Sequence, residues 1–166
     1  MTLYRAGVAL LIALIIGACI HMVVYYPQLP EVVSSHFDMN GKVNGSMSRN
    51  SFVELYAGLV VFLSALFLGL GLLLPRLPDS SINMPNKDIW LAKDRRDTTM
   101  NTVATFLVWL GAFTMLFIMA TMQVTILYQL GQVTQVNSLF YPMVIVFFFI
   151  TLTGTTLFLR KFRRPA

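Results

Sequence analysis

GLVVFLSALFLGLGLLL, residues 58–74, is the stretch whose reading decides the fold. It holds one hydroxyl, Ser64, and no ionisable side chain. A helix in a soluble core keeps a polar stripe toward water, and this run has none, so its surroundings are apolar on every side. At 1.5 Å per residue, about 20 such residues cross about 30 Å of hydrocarbon. Three more stretches meet the same criterion: 6–26, 103–127, and 141–159, the last containing VIVFFFI at 144–150. With 52–74 they predict an all-α fold, a polytopic transmembrane bundle of four helices in one domain. A structured loop at 27–51 joins the first two helices, and a longer connector spans 75–102.

Composition agrees with this. Hydrophobic residues make up 57% and charged residues 11% of the 166, against about 45–50% and about 25% in soluble domains. The formal charge of +5 does not imply a nucleic-acid partner, because no water-soluble module presents a basic face. A single cysteine, Cys19, excludes an intramolecular disulfide, and two histidines are too few for a zinc site of Cys and His spacing. IGAC at 16–19 is similar to a lipoprotein cleavage box, but hydrophobicity continues through Val23 and Val24, so Cys19 reads as a small packing residue. The main partner is the lipid bilayer.

The basic residues fix an expected orientation. Arg5, five cations in the connector (Arg76, Lys87, Lys93, Arg95, Arg96) and four at the C-terminus (Arg160, Lys161, Arg163, Arg164) oppose only Lys42 and Arg49 in the 27–51 loop. The positive-inside rule then puts both termini and the connector in the cytoplasm, and 27–51 outside. Tyr25, Tyr26, Tyr56, Tyr128 and Tyr141 would form the outer aromatic belt, with Trp90 and Phe162 near the inner one. RKFRR at 160–164 reads as a topology anchor that also attracts anionic headgroups.

The outer loop, YPQLPEVVSSHFDMNGKVNGSMSRNSF, holds the turn-forming residues. Pro27 and Pro30 stop the first helix, and Asn40-Gly41 and Asn44-Gly45 predict two tight turns. Ser51 is the expected N-cap of the second helix, with Glu54 completing a capping box.

These residues resemble a known family, the small domain of unknown function at the start of SdpI-like immunity proteins and of many bacterial membrane proteins. The resemblance rests on Leu29-Pro30, His36-Phe37 and the Gly41 to Gly45 turn, in the pattern LP, HF, glycine turn and basic residue, with Lys42 or Arg49 in the last role. MPNKDIWLAKDRR at 84–96 is similar to a segment of some of those proteins. The chain departs from the pattern at Ser34 and Ser35, where a proline often precedes HF, and in lacking the extra C-terminal helices of full-length SdpI proteins. The resemblance implies a bacterial cytoplasmic (inner) membrane location and a role in immunity or sensing.

Small residues mark expected helix contacts. Ala9, Ala13, Gly17 and His21 recur every four residues on the first helix, and Glu54, Gly58, Val61, Ala65 and Gly69 form a seam on the second. The two seams are expected to pack together, which would bring His21 to Glu54 about 5–8 Å below the outer surface. An ionisable side chain inside a span is costly enough to raise a functional reading. The expected ligand pocket joins His21, Glu54 and Gln123 beneath His36, Phe37 and Asp38, with Asn40, Gly41 and Asn44 in the loop. If any metal binds, His36, Asp38 and Glu54 are its candidate ligands, while Lys42 and Arg49 spoil a calcium loop. Met115, Met119 and Met122 read as packing rather than copper ligands. Thr151, Thr153, Thr155 and Thr156 are expected to bond back to helix carbonyls. Asn86, Lys87, Trp90, Arg95 and Arg96 form a candidate cytoplasmic interface.

The favoured function is a non-enzymatic membrane protein without a cofactor, whose outer loop recognises an extracytoplasmic ligand or peptide. A small accessory subunit of a larger membrane complex is the alternative, and a small transporter or metal-binding protein is third. Transport usually requires polar or broken midplane helices, and no hydrolase, metalloprotease or phosphate-loop motif is present.

Overall fold

The computed structural model describes residues 2–163. Four helices are long and apolar enough to cross a membrane. They are α1 (Thr2–Tyr25), α2 (Arg49–Leu73), α4 (Arg96–Gln129) and α5 (Asn137–Arg163), with a one-turn α3 (Lys87–Trp90) in the connector. Each spanning helix exceeds its apolar run, because hydrogen bonding continues into the polar flanks. The expected C-terminal anchor includes Arg164, which lies outside the described residues.

Between α1 and α2 the chain is not helical. Strands β1 (Val32–Phe37) and β2 (Val43–Ser48) form an antiparallel hairpin, so the expectation of an all-α fold is corrected at this segment. Val32, Val33 and Phe37 favour extended backbone between Pro30 and the turn, and helix formers are few. Ser48, not Ser51, caps α2: its Oγ accepts from the Ser51 N–H at 3.1 Å, and its hydroxyl donates to Ser51 Oγ at 2.9 Å. The expected capping box with Glu54 is not formed.

Helix α4 is the centre of the bundle, with α1 and α2 both packed along it and touching each other far less. Leu11 and Ala18 of α1, Phe52, Tyr56 and Val60 of α2, and Ala112, Met115, Met122 and Ile126 of α4 form one core that continues into the hairpin through Leu29 and Val33. Close approach to α4 depends on glycines: a Cβ at Gly111 would stand 2.5 Å from Phe67, and one at Gly71 would stand 2.8 Å from Val108. The expected α1–α2 seam is therefore wrong. Ala9 and Ala13 are exposed, Gly58 and Gly69 have nothing within 4 Å of an added Cβ, and Val61 is exposed. Small residues permit contact without choosing the partner, and here the partner is α4. Met115 and Met122 are buried in packing, whereas Cys19 is exposed rather than packed.

Helix α5 joins the others through aromatic rings. Phe106 stacks on Phe158 at 4.1 Å between centroids, and Phe117 on Phe147 at 4.2 Å. Thr151 donates to the Phe147 carbonyl at 2.7 Å, as its position in an apolar helix requires. Its other face, with Ile145, Phe149 and Leu152, is exposed.

Candidate functional site

Polar chemistry gathers in three places: a cleft under the hairpin, a cluster around His21, and the connector end.

The hairpin turn is built by Asp38. Its Oδ1 accepts the amides of Asn40 at 2.8 Å and Lys42 at 2.9 Å, and its own N–H donates to the Lys42 carbonyl. Gly41 completes the turn at φ +78°, a left-handed conformation that glycine adopts without steric cost. Asn44-Gly45 is not a second turn. It lies within β2, where the register slips around His36, and His36 Nδ1 bonds Asn44 Oδ1 at 2.8 Å. A Cβ at Gly45 would meet the His36 Cβ at 2.9 Å, so the glycine makes room for the histidine.

The ends of α4 and α5 hold this hairpin. Gln129 donates to the Ser34 carbonyl at 3.0 Å, and Asn137 Nδ2 and the Tyr141 hydroxyl both donate to the Met39 carbonyl, at 2.8 and 2.6 Å. Phe37 meets Tyr128 edge-on at 5.0 Å. Below these contacts lies a cleft of about 390 Å³. Ser35, His36, Phe37, Asp38 and Met39 line it from the hairpin, Thr121 and Thr125 from α4, and Val136, Asn137, Phe140 and Tyr141 from the start of α5. Three expected residues, His36, Phe37 and Asp38, thus belong to one cavity. Asn40 and Gly41 shape its turn, and Asn44 orients His36.

His21, Glu54 and Gln123 do not form the expected trio. His21 Nε2 and Gln123 Oε1 are 2.5 Å apart, and Gln123 Nε2 donates to the Tyr25 hydroxyl at 3.3 Å. Tyr56 stands edge-on to His21 at 5.7 Å. Its hydroxyl and His21 Nδ1 are buried without a hydrogen-bond partner among the described residues. Glu54 is exposed, because at about 100° per residue it points away from the buried face of Phe52 and Tyr56. The cluster stands apart from the cleft, whose walls include none of its residues. The possible metal set also fails to assemble: among the described residues, no group of three or more His, Cys, Asp or Glu side chains could hold an ion.

At the connector end, most of the expected interface residues bind the protein's own backbone. Asn86, in a left-handed conformation at φ 52°, donates from Nδ2 to the Phe162 and Arg163 carbonyls at 2.9 and 3.3 Å. Trp90 Nε1 also donates to the Phe162 carbonyl at 2.9 Å, with the two rings edge-on at 5.3 Å. These bonds satisfy carbonyls that the last turn of a helix leaves free. Arg96 holds Asp79 at 2.7 Å and the carbonyls of Pro75 and Leu77, closing the exit from α2. The Arg95 side chain makes an exposed contact with Asp94 at 3.8 Å, and Lys87 begins α3.

Thr121, Thr125, Asn137, Phe140 and Tyr141, with Ser35, Met39 and Val136, are the cleft residues that sequence reasoning did not assign to a site. Thr121 and Thr125 at i and i+4 near the end of α4 were the available signal.

Residues 13–58, covering the latter part of α1, the hairpin and the start of α2, match a family described as Domain of unknown function (DUF1648). No curated protein and no solved structure matches.

Proposed function

We propose that this is a non-enzymatic protein of the bacterial cytoplasmic membrane, with both termini inside, whose outer hairpin and underlying cleft recognise an extracytoplasmic ligand, in particular a peptide. The single observation carrying this reading is the cleft itself. A pocket of about 390 Å³ lies within the usual size of ligand sites, and a few convergent polar groups among apolar and aromatic walls are their usual chemistry. The orientation follows from the ten-to-two split of basic residues. The immunity or sensing type of role follows from the resemblance to SdpI-like proteins.

Two experiments test this. For topology, single cysteines at positions 44 and 94 in a Cys19→Ser background are labelled in intact cells; labelling at 44 alone is expected, and labelling at 94 alone would invert the orientation. For recognition, cells producing Thr125→Trp, which fills the cleft, are compared with wild type for survival against a panel of membrane-active peptides at equal membrane abundance. Loss of protection is expected with Thr125→Trp and not with Val61→Trp, on the exposed side of α2. Equal protection by both would remove the cleft from the function.

A second reading, an accessory subunit of a membrane complex, is favoured by the uncovered face of α5. A stoichiometric partner retained in mild detergent, and lost on substitution of Phe149, is its expected signature.

A further inference from the structure

We infer that the cleft takes a cation from its ligand: an ammonium or guanidinium group carried by an amphipathic peptide. This rests on the recognition reading above and deepens it.

The argument begins with which hydrogen-bonding capacity remains free. The Tyr141 hydroxyl and Asn137 Nδ2 both donate to the Met39 carbonyl. The Thr121 and Thr125 hydroxyls donate to the carbonyls of Phe117 and Thr121, at 2.9 and 3.2 Å. Four of the wall's side-chain donor groups are thus engaged within the protein, while the oxygens that carry or accompany them keep lone pairs. Asp38 adds a carboxylate whose Oδ1 takes two backbone amides, leaving Oδ2 with its full accepting capacity. A wall rich in acceptors at the edge of a low-dielectric region favours a group that only donates. Ammonium has three donors and no acceptor, and guanidinium has five.

Charge points the same way. The lining includes Asp38 and neither a lysine nor an arginine. Around it, the hairpin end carries three carboxylates (Glu31, Asp38, Glu54) and two cations (Lys42, Arg49). One of those cations is committed, since the Arg49 guanidinium lies 4.7 Å over the Tyr26 ring and donates to the Leu29 carbonyl. A chain of net charge +5 therefore has a slightly acidic hairpin end. The rings of Phe37, Phe140 and Tyr141 supply faces that attract a cation. An anionic ligand would bring negative charge to Asp38 and find few unengaged donors. The apolar part of the ligand has its own surface, because Met39 at the turn is 86% exposed and Val43 is also exposed.

The test uses the full chain in phosphatidylcholine nanodiscs, with empty discs subtracted, and three fluorescent amphipathic peptides that pair leucine with lysine, glutamate or serine. Asp38→Asn removes the charge and retains an Oδ1 acceptor for the turn, and an unchanged melting temperature checks that the turn survives. Saturable binding of the lysine peptide is expected, about tenfold or more weaker in Asp38→Asn because one charge-assisted bond is lost, abolished by Thr125→Trp, and weakened by salt. If the glutamate or serine peptide binds equally well, and Thr125→Trp still blocks it, the cation assignment falls and recognition stands. Displacement of the lysine peptide by phosphatidylethanolamine vesicles would make the cation a lipid amine and overturn the peptide assignment. If none of the three peptides binds in a way that Thr125→Trp blocks, the recognition reading itself fails.

Discussion

Adding one methyl group at Gly111 should separate the bundle's central helix from α2. The new Cβ would stand 2.5 Å from both the Cβ and the Cγ of Phe67, against about 3.5–4.0 Å for relaxed carbon pairs. The shortfall is about 1 Å. No change of rotamer relieves it, because the Phe67 Cβ is fixed to its backbone, so the helices themselves must move. Overpacking of this kind costs about 1–3 kcal/mol. Gly58→Ala and Gly69→Ala are the controls: nothing lies within 4 Å of either added Cβ, so only the better helix propensity of alanine acts, a gain of about 0.5–1 kcal/mol. The assay is unfolding of the detergent-solubilised protein by sodium dodecyl sulfate, followed by tryptophan fluorescence. Phe67→Ala in the Gly111→Ala background should not restore stability, since the Cβ–Cβ overlap persists. If Gly111→Ala shifts stability just as Gly58→Ala does, α4 does not pack against α2 as described.

The same titration resolves the His21 cluster. A double-mutant cycle between His21 and Gln123 should return a coupling of about 0.6 kcal/mol, and a cycle between His21 and Glu54 should return none; the reverse pattern would restore the pairing expected from sequence. Gly41→Ala should cost about 1–2 kcal/mol, because a Cβ at φ +78° is strained, and melting temperature reads this directly. Asn86→Ala should uncap α5, with faster amide hydrogen exchange in residues 160–163 and a loss of about 1 kcal/mol for the missing bonds; unchanged exchange there would mean that the side chain does not hold the helix end.

Much of the site was visible in the sequence, but not its grouping. The HF pair and the Asn-Gly turn pointed to His36, Phe37, Asp38 and Gly41, all of which build or line the cleft. Periodicity named His21 for its small-residue neighbours and then gave it the wrong partner. Glu54 looked suitable by depth and charge alone, yet rotation about the α2 axis turns it away from the buried face. Gln123, the third residue expected in that pocket, is the one that meets the imidazole. Tyr141 carries the ordinary signal of an aromatic residue at a membrane interface, and the i, i+4 spacing of Thr121 and Thr125 marks one helix face without tying it to the hairpin.

By itself the sequence determined that four helices are apolar enough to span, and where the connecting segments fall between them. That information is local, since transfer into hydrocarbon is summed residue by residue, and a helix satisfies all of its backbone hydrogen bonds within one segment. Only the tertiary structure decided that α4 stands at the centre, that the 27–51 segment pairs as a hairpin on the ends of α4 and α5, and that a cleft opens beneath it. In a bilayer every helix face is apolar, so hydrophobicity cannot mark the face that packs. Shape does, through contacts such as Gly111 against Phe67 and Asn137 against Met39, between residues far apart in the chain.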